Sequence, residues 1–456
     1  MKKNLSVKEA IGITSMLFGM FFGAGNLIFP AKLGIDAGRN LWFAYAGLVI
    51  TAVGLPLLAV AALGISRSEG VLELAGKVGK KYGMFFTTLL YLTIGPLFAI
   101  PRCASTSFVV GAVHLLPAEC LLAAQVIFSL LFFIMVLVFS LKPGGIMTWI
   151  GKILNPVFLV FLGMLVVAVL MNPINSIAEA VPANSFLGSG DAFINGFLEG
   201  YNTLDALAGL AFGIVVVDVV RRQGIEEPGR IAANTVRSGI FSCVLMGMIY
   251  LFVVIISAQC ADICAECTDG SAVLATIANA YFKSVGSVFM LLIVTIACLK
   301  TAIGLVTSCS EAFAGLFPGG PSYKIWTVVF CAISFGIANF GLSSIVAFCV
   351  PVLRFLYPLA ITLILLALFG KFFHDSRRVY IWTTGFTLIA AALDFMNALS
   401  GILKERQLVQ GSILDVITDA ASQYLPLFEY GLGWVSLAGA GCIIGLILNG
   451  ILKDGA

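Results

Sequence analysis

The first long apolar segment of this chain is cut in its middle by Gly23-Ala24-Gly25-Asn26, shortly before Phe29-Pro30. A helix that crosses a bilayer needs an unbroken hydrogen-bond ladder, because hydrocarbon offers freed N–H and C=O groups no partner. Gly costs about 1 kcal/mol relative to Ala in a helix interior, and Asn is also a poor helix former. Two glycines and an Asn in four positions therefore predict a break. Exposed backbone at mid-depth is tolerated only where it faces protein or lines a cavity, so the break marks a binding site. An interrupted first helix points to a carrier of small polar solutes.

That argument needs the segment to lie in a membrane, and composition requires it. The 456 residues are 60% hydrophobic and 11% charged, against about 25% charged in soluble domains. Mean hydropathy is +1.07. Apolar stretches of about 20 residues recur, each long enough to cross the hydrocarbon core. The net charge of +3 gives no argument for nucleic acid. Met1-Lys2-Lys3 and the apolar run after it superficially resemble a secretory signal. No small-residue cleavage site closes a short core, and the segment continues to Leu33, so it reads as a retained helix.

Twelve candidate spans lie near 8–34, 40–66, 82–113, 119–141, 150–172, 192–220, 236–259, 285–314, 323–340, 343–370, 379–400 and 428–452. With the N-terminus in the cytoplasm, 18 of the 26 Lys and Arg residues fall inside, from Lys2, Lys3 and Lys8 through Lys142 and Lys152 to Lys453. Lys32, Arg39, Lys283, Lys404 and Arg406 fall outside, and Arg102, Lys300 and Arg354 stay within spans. This bias places both termini inside, with long outward loops at 173–191, 260–284 and 401–427. Helix 6 carries a second interruption, Glu199-Gly200-Tyr201-Asn202-Thr203-Leu204-Asp205. Breaks in the first and sixth helices predict an all-α membrane protein of two inverted five-helix repeats, 1–172 and 192–370, with two added helices in 379–456. Two Gly-kinked helices without a functional role are the plainer alternative.

At these points the residues resemble a known family. Phe21-Phe22-Gly23-Ala24-Gly25-Asn26-Leu27-Ile28-Phe29-Pro30, Gly95-Pro96-Leu97-Phe98-Ala99-Ile100-Pro101-Arg102, Asp205-Ala206-Leu207-Ala208 and Leu356-Tyr357-Pro358 are similar to stretches of the bacterial branched-chain amino acid:cation symporters, the BrnQ-type or LIVCS family. The likeness runs nearly end to end. It implies the five-plus-five inverted repeat of the leucine-transporter fold, within the APC superfamily. It also implies uptake of leucine, isoleucine and valine across the bacterial inner membrane, normally driven by sodium.

A zwitterionic amino acid needs an anion site, a cation site and a pocket for its side chain. Freed amides at the positive end of a half-helix suit the carboxylate; on the fold's pattern these belong to Ala24 and Gly25, with Asn26 alongside. Carbonyls released near Tyr201, Asn202 and Thr203 would take the ammonium. The side chain would rest between helices 3, 6 and 8, with Phe98 as a wall. One sodium in related carriers sits between helix 1 carbonyls, here those of Gly19 and Phe22, and an Ala-x-x-[Ser/Thr]-[Ser/Thr] face on helix 8. The matching stretch is Ala297-Cys298-Leu299-Lys300-Thr301, with Lys300 at the first hydroxyl position. A hard cation wants oxygen ligands, so the Lys300 ammonium is expected to replace that sodium, giving proton coupling or ion-independent exchange. The alternatives are that Lys300 pairs with a carboxylate such as Asp205 or Asp394 or points to a watery cavity, with sodium bound elsewhere, or that the sodium site is retained. A second sodium would use the Asn26 side chain, the Phe21 carbonyl and Thr203, but no helix 7 ligand is evident; Asn234 falls before that helix.

Arg102 is a candidate gate or partner of Asp205, and Arg354 an interfacial residue or outer gate. Asp205 is read as a cap of the inner half-helix or as a charge partner, Glu199 as a helix-end residue, and His114 and His374 as solvated span ends. Cys260, Cys264 and Cys267 share an outer loop; a disulfide there stays open, while the missing His argues against a metal. No nucleotide fingerprint, nucleophile elbow or spaced His pair supports an enzyme or a bound cofactor. Beside the leading reading stand a carrier of other small neutral amino acids and a non-transporting membrane sensor.

Overall fold

The computed structural model describes residues 5–112, 116–141, 146–225, 227–405 and 413–451, and among them it contains helices and no strands. Lys2, Lys3, His114, Lys142, Arg406 and Lys453 lie outside the described residues. Helix α1 (Val7–Phe21) opens with a capping box, in which Ser6 Oγ accepts from the Glu9 amide and Glu9 Oε2 from the Ser6 amide. It stops at Phe22, and α2 (Gly25–Ala37) resumes after the non-helical Phe22–Ala24. The break thus falls slightly earlier than the glycine–asparagine run. Asn26 is drawn into the first turn of α2, where its Oδ1 accepts from the Gly23 amide at 2.7 Å.

The second span comprises α3 (Leu41–Val49) and α4 (Leu55–Ser66), followed by a short α5 (Val71–Gly76). The third, expected to be continuous over 82–113, is instead kinked between α6 (Lys80–Leu92) and α7 (Ala99–Ala112). Pro96 lacks an N–H and its ring collides with the preceding turn, and Gly95 takes φ −99, ψ −121. The kink puts Arg102 in the first turn of α7. Next come α8 (Leu121–Leu141), α9 (Ile146–Met171), α10 (Ser189–Asn202), α11 (Asp205–Arg222) and α12 (Pro228–Ala258). Helix 6 is α10 plus α11; its break is only Thr203–Leu204, with Leu204 at φ 66. Glu199 to Asn202 remain helical, contrary to the wider interruption expected.

Helix α13 (Gly270–Leu316) bends at Lys283 and begins inside the supposed 260–284 loop, because Asp269 caps the amides of Ser271 and Ala272. Helices α14 (Tyr323–Ala338), α15 (Leu342–Phe369), α16 (Arg377–Glu405), α17 (Ile413–Tyr424) and α18 (Trp434–Ile451) complete the chain. Among the described residues, seven helices are long and apolar enough to cross a membrane, and four shorter apolar helices join them. The exterior is apolar: α8 exposes Leu122, Ile127, Leu131 and Val138 while burying Phe132 and Val136. α2, α11, α12 and α13 carry the buried groups described next. α3 meets α10 closely, because a Cβ on Gly47 would strike the Phe197 amide.

Candidate functional site

The two breaks meet. A Cβ on Gly25 would come within 3.2 Å of the Thr203 carbonyl and 2.8 Å of Arg102 Nη2, so only Gly lets helix 1 pass helix 6 without displacing one of them. Both breaks line a cavity of about 350 Å³, at the small end of the roughly 300–1,000 Å³ usual for ligand sites.

On the helix 1 side, the Ala24 and Gly25 amides have no acceptor among the described residues. They begin a 13-residue helix, so its positive end faces the cavity. On the helix 6 side the carbonyls are mostly taken. The Tyr201 carbonyl accepts from the Leu204 amide at 3.1 Å, and the Asn202 carbonyl accepts from Arg102 Nη1 at 2.7 Å. Only the Thr203 carbonyl lacks a donor among the described residues.

The charged group at this break is Asp205, 3% exposed. Its Oδ2 accepts from Asn26 Nδ2 at 2.6 Å and from the Tyr250 hydroxyl at 3.1 Å. Asn26 also donates to the Tyr250 oxygen. One buried network therefore ties α2, α11 and α12 together around a carboxylate whose residue also lines the cavity. Arg102 makes no ion pair with Asp205 among the described residues; its guanidinium lies 4.9 Å from the Phe29 ring centre, and its Nε is buried without a partner. Lys300 lines the same cavity and has no ion pair among the described residues. Beside it, Thr301 Oγ1 donates to the Ala297 carbonyl at 3.2 Å, and its methyl lies 3.3 Å from where a Gly23 Cβ would stand. Ile94, Ala99, Cys103, Ala208, Phe212 and Leu305 form the apolar wall.

The sequence matches the family described as Branched-chain amino acid transport protein over residues 6–452. A branched-chain amino acid permease, BrnQ, of Lactobacillus delbrueckii subsp. lactis is 46% identical over 95% of each chain. The permease BrnQ of Bacillus subtilis (strain 168) is 38% identical over 98% of each. The chain belongs to the branched-chain amino acid transport protein family. Its matched relatives are named permeases, which move solutes and are not enzymes. A solved structure of Mhp1, a nucleobase-cation-symport-1 family transporter in a closed conformation with bromovinylhydantoin bound, superimposes with a TM-score of 0.52 over 90% of this chain and 96% of that one. At 12% identity that likeness shows the fold alone.

In this family member, one cavity brings together Gly19, Ala24, Gly25, Asn26, Arg102, Thr203, Asp205, Lys300 and Thr301. Phe22, Tyr201, Asn202 and Ala297 stand off its lining. Phe22 stacks on Phe18 at 4.9 Å, and Tyr201 stacks on Tyr357 at 4.1 Å. Phe98 is buried away from the cavity, because the Gly95–Pro96 kink presents Ile94 and Ala99 in its place. Asp205 is the first residue of α11, and its carboxylate accepts from Asn26 and Tyr250 on other helices. Of the groups named for a second sodium, the Thr203 hydroxyl donates to the Gly200 carbonyl and Asn26 Oδ1 accepts from the Gly23 amide.

Asn234 lies within α12, which starts earlier than expected at Pro228, and it accepts from the Leu5 amide far from the breaks. Tyr250 is the helix 7 group that sequence reasoning missed; a Tyr within an apolar run gives no signal of its own. In the segment between α12 and α13, Cys260, Cys264 and Cys267 are free thiols, and burial pushes the Cys260 thiol up to about 11.

Proposed function

We propose that this protein is a secondary carrier that brings leucine, isoleucine and valine across the bacterial plasma membrane by alternating access. The observation that carries the reading is a single cavity with two free helix-1 amides at one side and the Asp205 carboxylate at the other. An amino acid carboxylate would sit on the Ala24 and Gly25 amides, beside the Arg102 guanidinium. Its ammonium would face Asp205 and the Thr203 carbonyl, and its branched side chain would lie against Ile94, Ala99, Phe212 and Leu305. An apolar wall separates substrates differing by one methylene by only about 1–3 kcal/mol, so the three amino acids compete.

The repeats are residues 1–172 and 192–370, with 379–456 added, and both termini are cytoplasmic by the Lys/Arg bias. In that orientation the cavity runs along α11 and α13, past Ala208, Phe212, Gly304 and Ser308, toward the cytoplasm. The Tyr201–Tyr357 stack and the Arg102–Asn202 bond close the other side. The arrangement corresponds to an inward-facing state.

The Lys300 ammonium stands in for the sodium of related carriers, and its proton is the coupling ion. The support is local: Lys300 faces the cavity and pairs with neither Asp205 nor Asp394 among the described residues. While it is protonated, that ammonium also repels a second cation at short range. Uptake of radiolabelled leucine into proteoliposomes, under an imposed proton, sodium or no gradient, tests the reading. A proton gradient is expected to drive accumulation, a sodium gradient to do nothing, and Lys300→Thr to abolish the proton drive. Sodium-driven accumulation by the wild type, or an unchanged ion dependence in Lys300→Thr, overturns the coupling; absence of leucine counterflow overturns the carrier.

A further inference from the structure

Where α5 turns into α6, a depression of about 710 Å³ is lined by Lys77, Lys80, Lys81 and, from the start of α16, Arg377. The α5–α6 turn is tight, because a Cβ on Gly83 would come within 3.0 Å of the Gly76 amide nitrogen. Arg377 reaches across it: its Nε donates to the Val78 carbonyl at 3.4 Å, and its Nη2 lies 3.7 Å from where a Gly79 Cβ would stand. Lys77 is held by Asp375, with Nζ 3.0 Å from Oδ1. His374 and Asp375, shortly before Arg377, both take left-handed backbone, at φ 55 and φ 51. Two such residues in succession persist only where their surroundings hold them.

Three cations here are unanswered: Lys80, Lys81 and Arg377 make no ion pair among the described residues. The two lysines stand in the first turn of α6, which has no side-chain cap at Gly79 and no acid in that turn. The Lys80, Lys81 and Tyr82 amides have no acceptor among the described residues. A helix start is the positive end of its dipole and favours an anion, yet this one carries two more positive charges. Helix α16 likewise opens on Arg377-Arg378 with no acid in its first turn. Of the carboxylates close by, Asp375 is taken by Lys77. Glu73, which lines the adjoining groove, accepts from the Glu69 amide at 2.7 Å. The balancing anion must come from outside the chain.

The neighbourhood decides its kind. The adjoining groove, of about 510 Å³, shares Gly76, Lys77 and Lys80 and continues over Leu72 and Met84. Both of those side chains are exposed, as are Phe85 on α6 and Ile381 and Trp382 on α16. A free phosphate has no use for that apolar strip. A phospholipid has both parts, a phosphate at the interface and hydrocarbon below it, and basic pockets beside membrane helices hold such head groups.

We propose that this basic depression binds an anionic phospholipid, with its phosphate at Lys80, Lys81 and Arg377 and an acyl chain over Leu72 and Met84. In the orientation proposed above it lies in the cytoplasmic leaflet, and it does not depend on which solute is carried. Native mass spectrometry of the purified full-length chain, titrated with phosphatidylglycerol or phosphatidylcholine, tests it. The wild type is expected to prefer phosphatidylglycerol by at least about 30-fold. Arg377→Gln should weaken its binding about 5-fold and, independently, Lys80→Gln with Lys81→Gln about 25-fold. Lys324→Gln, which removes an exposed cation from the first turn of α14, should change nothing. No preference for phosphatidylglycerol, or an equal loss in Lys324→Gln, overturns the site. Displacement of the lipid by inorganic phosphate at equal concentration overturns the lipid as its occupant. If one of the two pocket variants fails to fold, the other decides.

Discussion

The two helix breaks look alike as sequence and differ as chemistry. At the first, backbone does the work: two amides stay free because Gly23 and Gly25 admit no side chain that would cover them, and Asn26 ties off only the Gly23 amide. At the second, backbone is largely used up, since Leu204 and Arg102 take two of the three candidate carbonyls. What remains is a side chain, Asp205, aimed by Asn26 and Tyr250 from two other helices. One end of the proposed site is therefore built from main-chain dipoles and the other from a full charge. Side-chain substitution should reach the second end far more readily than the first.

The largest effect is expected from Asp205→Asn. Removing one member of a buried hydrogen-bonded charge pair costs about 2–5 kcal/mol, so leucine affinity should fall at least about 30-fold and probe the helix 6 end alone. Gly25→Ala probes the helix 1 end. Its Cβ pushes against Arg102 and the Thr203 carbonyl, and a displacement of a few tenths of an ångström between the breaks should cost about 10-fold in uptake. Tyr250→Phe removes one hydrogen bond to Asp205 and should lower leucine affinity about 5- to 10-fold, worth roughly 1–1.5 kcal/mol. Gly12→Ala, where an added Cβ meets nothing within 4 Å, should leave uptake unchanged. Affinity and initial-rate measurements on the four variants fix their order, and an Asp205→Asn effect smaller than that of Gly25→Ala would invert the comparison.

Much of this was legible in the chain. Helix interruption follows from local composition, so Gly23, Gly25 and Asn26 announce the first break, and the apolar runs announce the long membrane helices. The limits of the second break were not legible. Glu199 to Asn202 hold their helix because their ladder closes locally, and Thr203–Leu204 alone turns the chain. Which carbonyls are occupied depends on Arg102, 100 residues away in sequence, and its position depends on the Gly95–Pro96 kink. Tyr250 and the depression between α6 and α16 are likewise products of packing between distant helices. Local propensity carries no record of them. The helix at the start of α13 is different: Asp269 before Gly270-Ser271 is a readable cap that the apolar-run criterion passes over.

The central claim is that the ammonium of the carried amino acid is held by Asp205. Competition against radiolabelled leucine by 4-methylpentanoate, which lacks the amino group but keeps the carboxylate and the branched chain, tests it most directly in wild type and Asp205→Asn proteoliposomes. The account predicts that the wild type favours leucine over 4-methylpentanoate by at least about 30-fold and that Asp205→Asn loses nearly all of that preference. An Asp205→Asn carrier that weakens toward both solutes equally, and still prefers leucine as the wild type does, contradicts it.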